Sequence, residues 1–214
     1  MKPVNDLKEI DIDSVTIALT GDGSWERVVL KAMAERHDGS ERALLIPIAV
    51  AVLGRGNRKT GRFSGLSALQ SIKTYVGQFR IRRYLFLIDI EHINDKEEIK
   101  PGLEASARQY GFDLQRPIEV IGNQAFLIRC RVGSHEITVH TVVSGRKKYI
   151  EENISALISL EWGIDVESSK CAIRKILKQK DADLFSLVRT ASSYNVDQAL
   201  PDLTAAFESM ESTY

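Results

Sequence analysis

Residues 84–92, Tyr-Leu-Phe-Leu-Ile-Asp-Ile-Glu-His, constrain the fold more than any other stretch. An apolar run leads straight into Asp89 and Glu91, separated only by Ile90. The run is too short for a helix, and its lack of polar alternation is that of a strand buried on both faces, as in a parallel sheet. In α/β sheets ligands collect just beyond the carboxyl ends of the strands, where Asp89 and Glu91 fall. On an extended backbone residues i and i+2 share a side, so the pair is expected to stand together and to suit a hard divalent cation, Mg²⁺ or Mn²⁺. The alternative reading is an aspartate that caps the following loop beside a solvated glutamate.

The flanking chain alternates in type. Residues 15–19 form a short β-branched run. Ser24 is placed to cap a helix over residues 25–36, with Glu26 in the first turn, where the helix dipole favours a carboxylate. Gly39 is placed at its end. Residues 43–53 are a second apolar stretch in which Pro47 points to an edge or a bend. Gly54, Arg55 and Gly56 open a basic loop, and residues 66–79 carry apolar side chains at helical spacing. After the strand at 84–90, residues 99–110 read as a helix with Pro101 in its first turn. Strand, helix, strand, helix, strand, helix predicts a mainly parallel sheet with helices on its faces.

The second half changes pattern. Residues 125–132 and 135–143 are strand-like runs around Gly133 and Ser134, a two-residue hairpin signal. That loop sets Cys130 opposite Ile137, Ile128 opposite Val139, Phe126 opposite Thr141 and Arg131 opposite Glu136. Residues 149–162, 168–177, 183–192 and 197–210 read as helices, the last interrupted or restarted at Pro201. The expected organisation is a lead-in at 1–13, an α/β core with hairpin at 14–145, and a helical part at 146–214 packed on that core.

Lysine plus arginine and aspartate plus glutamate each number 29, so the net charge is zero and global electrostatics gives no case for nucleic-acid binding. Two local clusters do: Arg55, Arg58, Lys59 and Arg62 in one loop, and Arg146, Lys147 and Lys148 in another. Either could equally be solvated surface. Cys130 and Cys171 lie on different elements without metal-ligand spacing and read as free thiols. No apolar stretch approaches the roughly 20 residues that span a bilayer. The first residues lack the apolar core of a signal peptide, so the expected location is cytoplasmic, away from membranes. His92 could be a third ligand or a proton carrier, or neither. His135 and His140 fall on opposite faces of one strand, which disfavours a shared metal.

With strands, loops and carboxylates in place, the chain resembles the TOPRIM family of topoisomerases, primases, OLD-type nucleases and small stand-alone relatives. The resemblance rests on Thr20-Gly21-Asp22-Gly23 after the first strand, Gly54-Arg55-Gly56 after the second and Asp89-Ile90-Glu91 after the third. It extends loosely to Glu151 and Glu152 opening a helix, and to Leu200-Pro201-Asp202-Leu203 ahead of Phe207. It implies a TOPRIM-like three-layer α/β sandwich with an added β-hairpin and C-terminal helices. It also implies Asp89 and Glu91 as metal ligands. The chain departs from the family at Thr20, where the family carries a glutamate used as general acid or base. A hydroxyl has no charge change near neutral pH, so Asp22 or Glu26 must substitute.

Two kinds of function follow. One is Mg²⁺- or Mn²⁺-dependent, nuclease-like phosphodiester chemistry, with Asp22 or Glu26 handling the proton and Arg55, Arg58, Lys59 and Arg62 holding backbone phosphates. The other is a non-catalytic module that binds nucleic acid, a nucleotide or a protein through the same cleft. A second copy of the chain, paired through an exposed hairpin edge, is a further partner the pattern allows.

Overall fold

The computed structural model describes residues 1–4, 12–20, 23–37, 42–46, 65–93, 99–145 and 149–212. Among these, eight strands form one sheet: β1 (Lys2–Val4), β2 (Val15–Thr20), β3 (Ala43–Leu45), β4 (Arg83–Asp89), β5 (Asp113–Leu114), β6 (Glu119–Val120), β7 (Ala125–Val132) and β8 (His135–Ser144). Their order is β1-β3-β2-β4-β8-β7-β5, with β6 also paired to β7. Pairing is parallel from β1 through β8 and antiparallel where β7 turns back. The helices are α1 (Ser24–Arg36), α2 (Gln70–Phe79), α3 (Ile99–Gln109), α4 (Ile150–Trp162), α5 (Lys170–Gln179), α6 (Leu184–Thr190), α7 (Ser193–Ala199) and α8 (Pro201–Ser212). The chain is thus α/β with a mostly parallel central sheet.

The run at 84–88 sits in β4, between β2 and β8, and its side chains divide between two cores. Leu85 and Leu87 join Ala18, Val29, Ile154, Leu203 and Phe207 on the face covered by α1 and α4 to α8. Tyr84, Phe86 and Ile88 join Ile17, Ile72 and Leu103 on the face covered by α2 and α3. Both pleat faces are covered, so neither can be polar. The C-terminal helices share one core with the sheet. Among the described residues no helix is long and apolar enough to cross a membrane.

The hairpin has the expected register: Cys130 faces Ile137, Ile128 faces Val139, Phe126 faces Thr141, and Arg131 faces Glu136, with the last pair 3.6 Å apart. Gly133 takes the positive φ that the turn demands. Four expectations are corrected. Lys2–Val4 is not a loose lead-in but an edge strand on β3, because Met1 is fully buried and its side chain anchors the segment in the core. Gly23, not Ser24, caps α1, and Ser24 is its first residue. The last helix restarts at Pro201 as expected, but the part before the proline, α7, begins at Ser193 and not at Asp197. β4 ends at Asp89, not Ile90. Pro47, Gly39, Asp22, Gly54, Gly56, the cluster Arg55, Arg58, Lys59 and Arg62, and the cluster Arg146, Lys147 and Lys148 lie outside the described residues.

Candidate functional site

The chain leaves β2 on one side for β3 and returns on the other for β4. The carboxyl ends of β2 and β4 therefore bound a topological switch point, the usual ligand crevice of an open α/β sheet. Thr20 ends β2 there, half-buried. Asp89 ends β4 there, buried and level with Ser144 at the end of β8.

Asp89 is held from two elements. Its Oδ1 accepts 2.7 Å from the Ser144 hydroxyl and 3.0 Å from the Ile150 backbone N–H, the first residue of α4. A carboxylate at a helix N-terminus is where the helix dipole favours it. Between β8 and α4, position 145 requires glycine. Its φ is +84°, and a Cβ would stand 2.7 Å from the Tyr149 backbone. Its N–H donates 2.8 Å to Asn153 Oδ1, tying the end of β8 to the first turn of α4. Burial raises the Asp89 pKa, and the charge of Glu151 adds to this, against the hydrogen bonds from Ser144 and Ile150 and the nearby His92.

Glu26 supplies the second carboxylate. It is the third residue of α1 and only 5% exposed, and its carboxyl group folds back over the helix end into the space above Gly23. A Cβ on Gly23 would lie 1.5 Å from Glu26 Oε2, so the site needs glycine there for room rather than for backbone conformation. Oε2 is buried with no hydrogen-bond partner among the described residues. Burial above all, and then the charges of Asp89 and Glu151, push the carboxyl up to about 7, opposed by a hydrogen bond from its own backbone N–H and by Lys170. Gly23→Ala is expected to drive the carboxyl group out of this space. An NMR titration should then show the Glu26 pKa falling back toward the ordinary carboxylate range, and an unchanged midpoint would contradict this account.

Two further residues complete the cluster, and sequence reasoning missed them as a pair. Glu151, in the first turn of α4, is 5% exposed and lies 3.1 Å from Lys170 Nζ at the start of α5. A lysine at a helix N-terminus opposes the dipole, and here Glu151 compensates. The hydrogen bond to Glu151 is the largest influence holding the Lys170 ammonium above its ordinary range, and Glu26 and Asp89 add to it. The one sequence signal was Glu151 opening a helix. Nothing local marked Lys170.

Glu91 does not stand beside Asp89 as a strand neighbour. Ile90–His92 form a 3₁₀ turn, which breaks the two-residue alternation and carries Glu91 to the surface, 3.8 Å from His92. Its charge, and a hydrogen bond to it, keep the exposed Tyr149 phenol protonated above its usual range. Among the described residues no group of three or more His, Cys, Asp or Glu side chains is arranged to hold a metal ion. Asp89 nonetheless has hard-oxygen chemistry, and its two hydrogen bonds among the described residues both fall on Oδ1 and not on Oδ2. That suits a cation held by one carboxylate and completed by waters and a substrate phosphate, not a cage-bound ion. His140 takes no part: it is buried under α8, 3.2 Å from Ser209 Oγ.

Comparisons with protein-family models, with curated proteins and with solved structures found no match.

Proposed function

We propose that this chain is a TOPRIM-like protein whose switch-point cluster performs Mg²⁺- or Mn²⁺-assisted phosphodiester chemistry on nucleic acid. The observation that carries this reading is Glu26: a buried carboxylate whose Oε2 has no hydrogen-bond partner among the described residues and whose pKa burial pushes up to about 7 beside the Asp89 charge. It stands in for the glutamate that Thr20 lacks. A group titrating near the working pH is the most effective proton carrier. Glu26 takes the proton of the attacking water or hydroxyl. Lys170, anchored by Glu151, offsets negative charge that develops on the phosphate. Ser144 and the Ile150 N–H hold Asp89 in one orientation. Asp89 would hold the cation, which would supply charge stabilisation at the phosphate when bound.

The test is strand cleavage of duplex DNA, single-stranded DNA and RNA with Mg²⁺ or Mn²⁺. Wild type is expected to cleave at least one of them, Glu26→Gln to lose about 10²–10⁴-fold in rate, and Asp89→Asn to lose cleavage and calorimetric metal binding together. Absence of cleavage on all three substrates, or full activity in both variants, would sink the enzyme reading. The second reading, a non-catalytic binding module, is favoured by one observation: Glu91, the expected second ligand, lies on a 3₁₀ turn with its side chain exposed beside His92. It predicts binding without turnover.

A further inference from the structure

The charges of this neutral chain are segregated along β4. Asp89 ends that strand among carboxylates, whereas Arg83 begins it, roughly 20 Å away at about 3.3 Å per residue. At the Arg83 end lies a cleft of about 790 Å³ into which Arg82, Arg83, Arg116 and Arg129 converge with Gln115 and Thr138. The sheet itself sets the spacing. Arg83 is level with Thr138, and Thr138 with Arg129, across three adjacent strands, so the two arginine backbones stand about 10 Å apart. The Gln115 N–H donates 3.1 Å to the Arg129 carbonyl, which places Arg116 on the far side of the row.

Two of the arginines are anchored. Arg83 donates to the Asp13 carbonyl, and Arg129 pairs with Glu119 at 2.8 Å. Arg82 and Arg116 are exposed and pair with no carboxylate among the described residues. Asp13 and Glu136 also line the cleft, so it carries a net charge of about two positive units from four arginines and two carboxylates. Among the described residues all its cations are arginines, whose planar forks match phosphate oxygens in a way lysine does not. Among the described residues no aromatic side chain lines the cleft, so they offer none of the stacking platforms on which single-strand binders seat bases.

We infer that this arginine cleft binds the phosphodiester backbone of a double helix, without reading sequence, at a site separate from the carboxylate cluster. The inference does not depend on any chemistry at that cluster. It is tested by fluorescence anisotropy of a short labelled DNA duplex, in EDTA, between about 50 and 200 mM salt. The proteins compared are wild type, the double variant Arg82→Ala/Arg116→Ala and the remote surface variant Lys175→Ala. Wild type and Lys175→Ala are expected to bind alike and more weakly as salt rises. The double variant should bind at least about tenfold more weakly at low salt, with a log–log salt slope shallower by roughly 1.8, for two lost phosphate contacts. Both arginines are exposed, so the double variant should keep the wild-type circular dichroism spectrum and melting temperature. Equal binding by wild type and double variant, no salt-dependent binding, or tighter binding of the corresponding single strand would each overturn the inference. So would calorimetric binding of inorganic pyrophosphate without binding of the duplex, which would make the cleft a small-anion site.

Discussion

Replacing Phe207 by alanine is expected to cost about 3–5 kcal/mol of folding stability. The ring is fully buried in the core shared by the sheet and the C-terminal helices, and it stacks on His37 with centroids 5.0 Å apart. Its helix α8 packs on β7 and β8, so the cavity would open between the helical layer and the sheet. Little backbone there can relax to fill it, since β8 is held on both sides by β4 and β7. Urea denaturation at neutral pH checks the figure. A loss below about 1 kcal/mol would mean that the site collapses around the missing ring. The transition should stay single, because α8 and the sheet bury the same core. A separate early loss of helix would contradict that shared core.

The second large effect is on the pH dependence of stability. In the folded protein Glu26 holds its proton up to about pH 7, against an ordinary value of 4.5, so the folded state binds more protons across that window. Stability from this group is complete below 4.5 and is lost as pH rises to 7, by roughly 3 kcal/mol in all. His140 acts in the opposite sense. Burial under α8, with the charge of Arg129, lowers its pKa from 6.5 to about 4, so the unfolded state binds more protons and stability is lost as pH falls through that range. From about 4.5 to 6.5 the slopes of Glu26 and His140 oppose and cancel one another, and the remaining wild-type slope comes from other groups, Asp89 and Asp202 among them, whose raised pKa values make stability fall as pH rises.

Glu26→Gln removes one slope and leaves the other. Measured against wild type, its stability should climb with pH from about 4.5 to 7, and above pH 7 it should exceed wild type by roughly 3 kcal/mol. His140→Asn should show the reverse, a steady fall between about 4.5 and 7. Denaturation midpoints across pH 4–8 for the three proteins decide this. A wild-type profile with the same slope as Glu26→Gln would mean that Glu26 is ionised in the folded state throughout. A gain in stability joined to a loss of activity in Glu26→Gln is the trade expected of a group placed for chemistry rather than for folding.

What the sequence determined by itself is whatever depends on near neighbours. An unbroken apolar run specified β4 as doubly covered. A two-residue turn specified the β7–β8 register down to the Arg131–Glu136 pair. Strand-helix alternation specified a parallel sheet, and with it a crevice at the end of β4 where Asp89 falls. Helical spacing placed α2, α3 and α4 within a residue or a few at each end. Each of these follows from backbone periodicity, which acts over a few residues.

Beyond the hairpin, tertiary structure decided which charges meet. Asp89 and Glu91 are two residues apart in sequence, yet the 3₁₀ turn at Ile90–His92 separates their roles, burying one and exposing the other. Glu26 joins Asp89 only because β2 and β4 are adjacent and because Gly23 leaves room for a folded-back carboxyl group. Glu151 and Lys170, 19 residues apart on separate helices, meet over the same crevice. The arginine row forms only because β4, remote in sequence, docks beside the β7–β8 hairpin and sets Arg83 level with Thr138 and Arg129. Strand order and helix docking are settled by which apolar faces bury one another best. That is a sum over the whole core, and no local window of the sequence contains it.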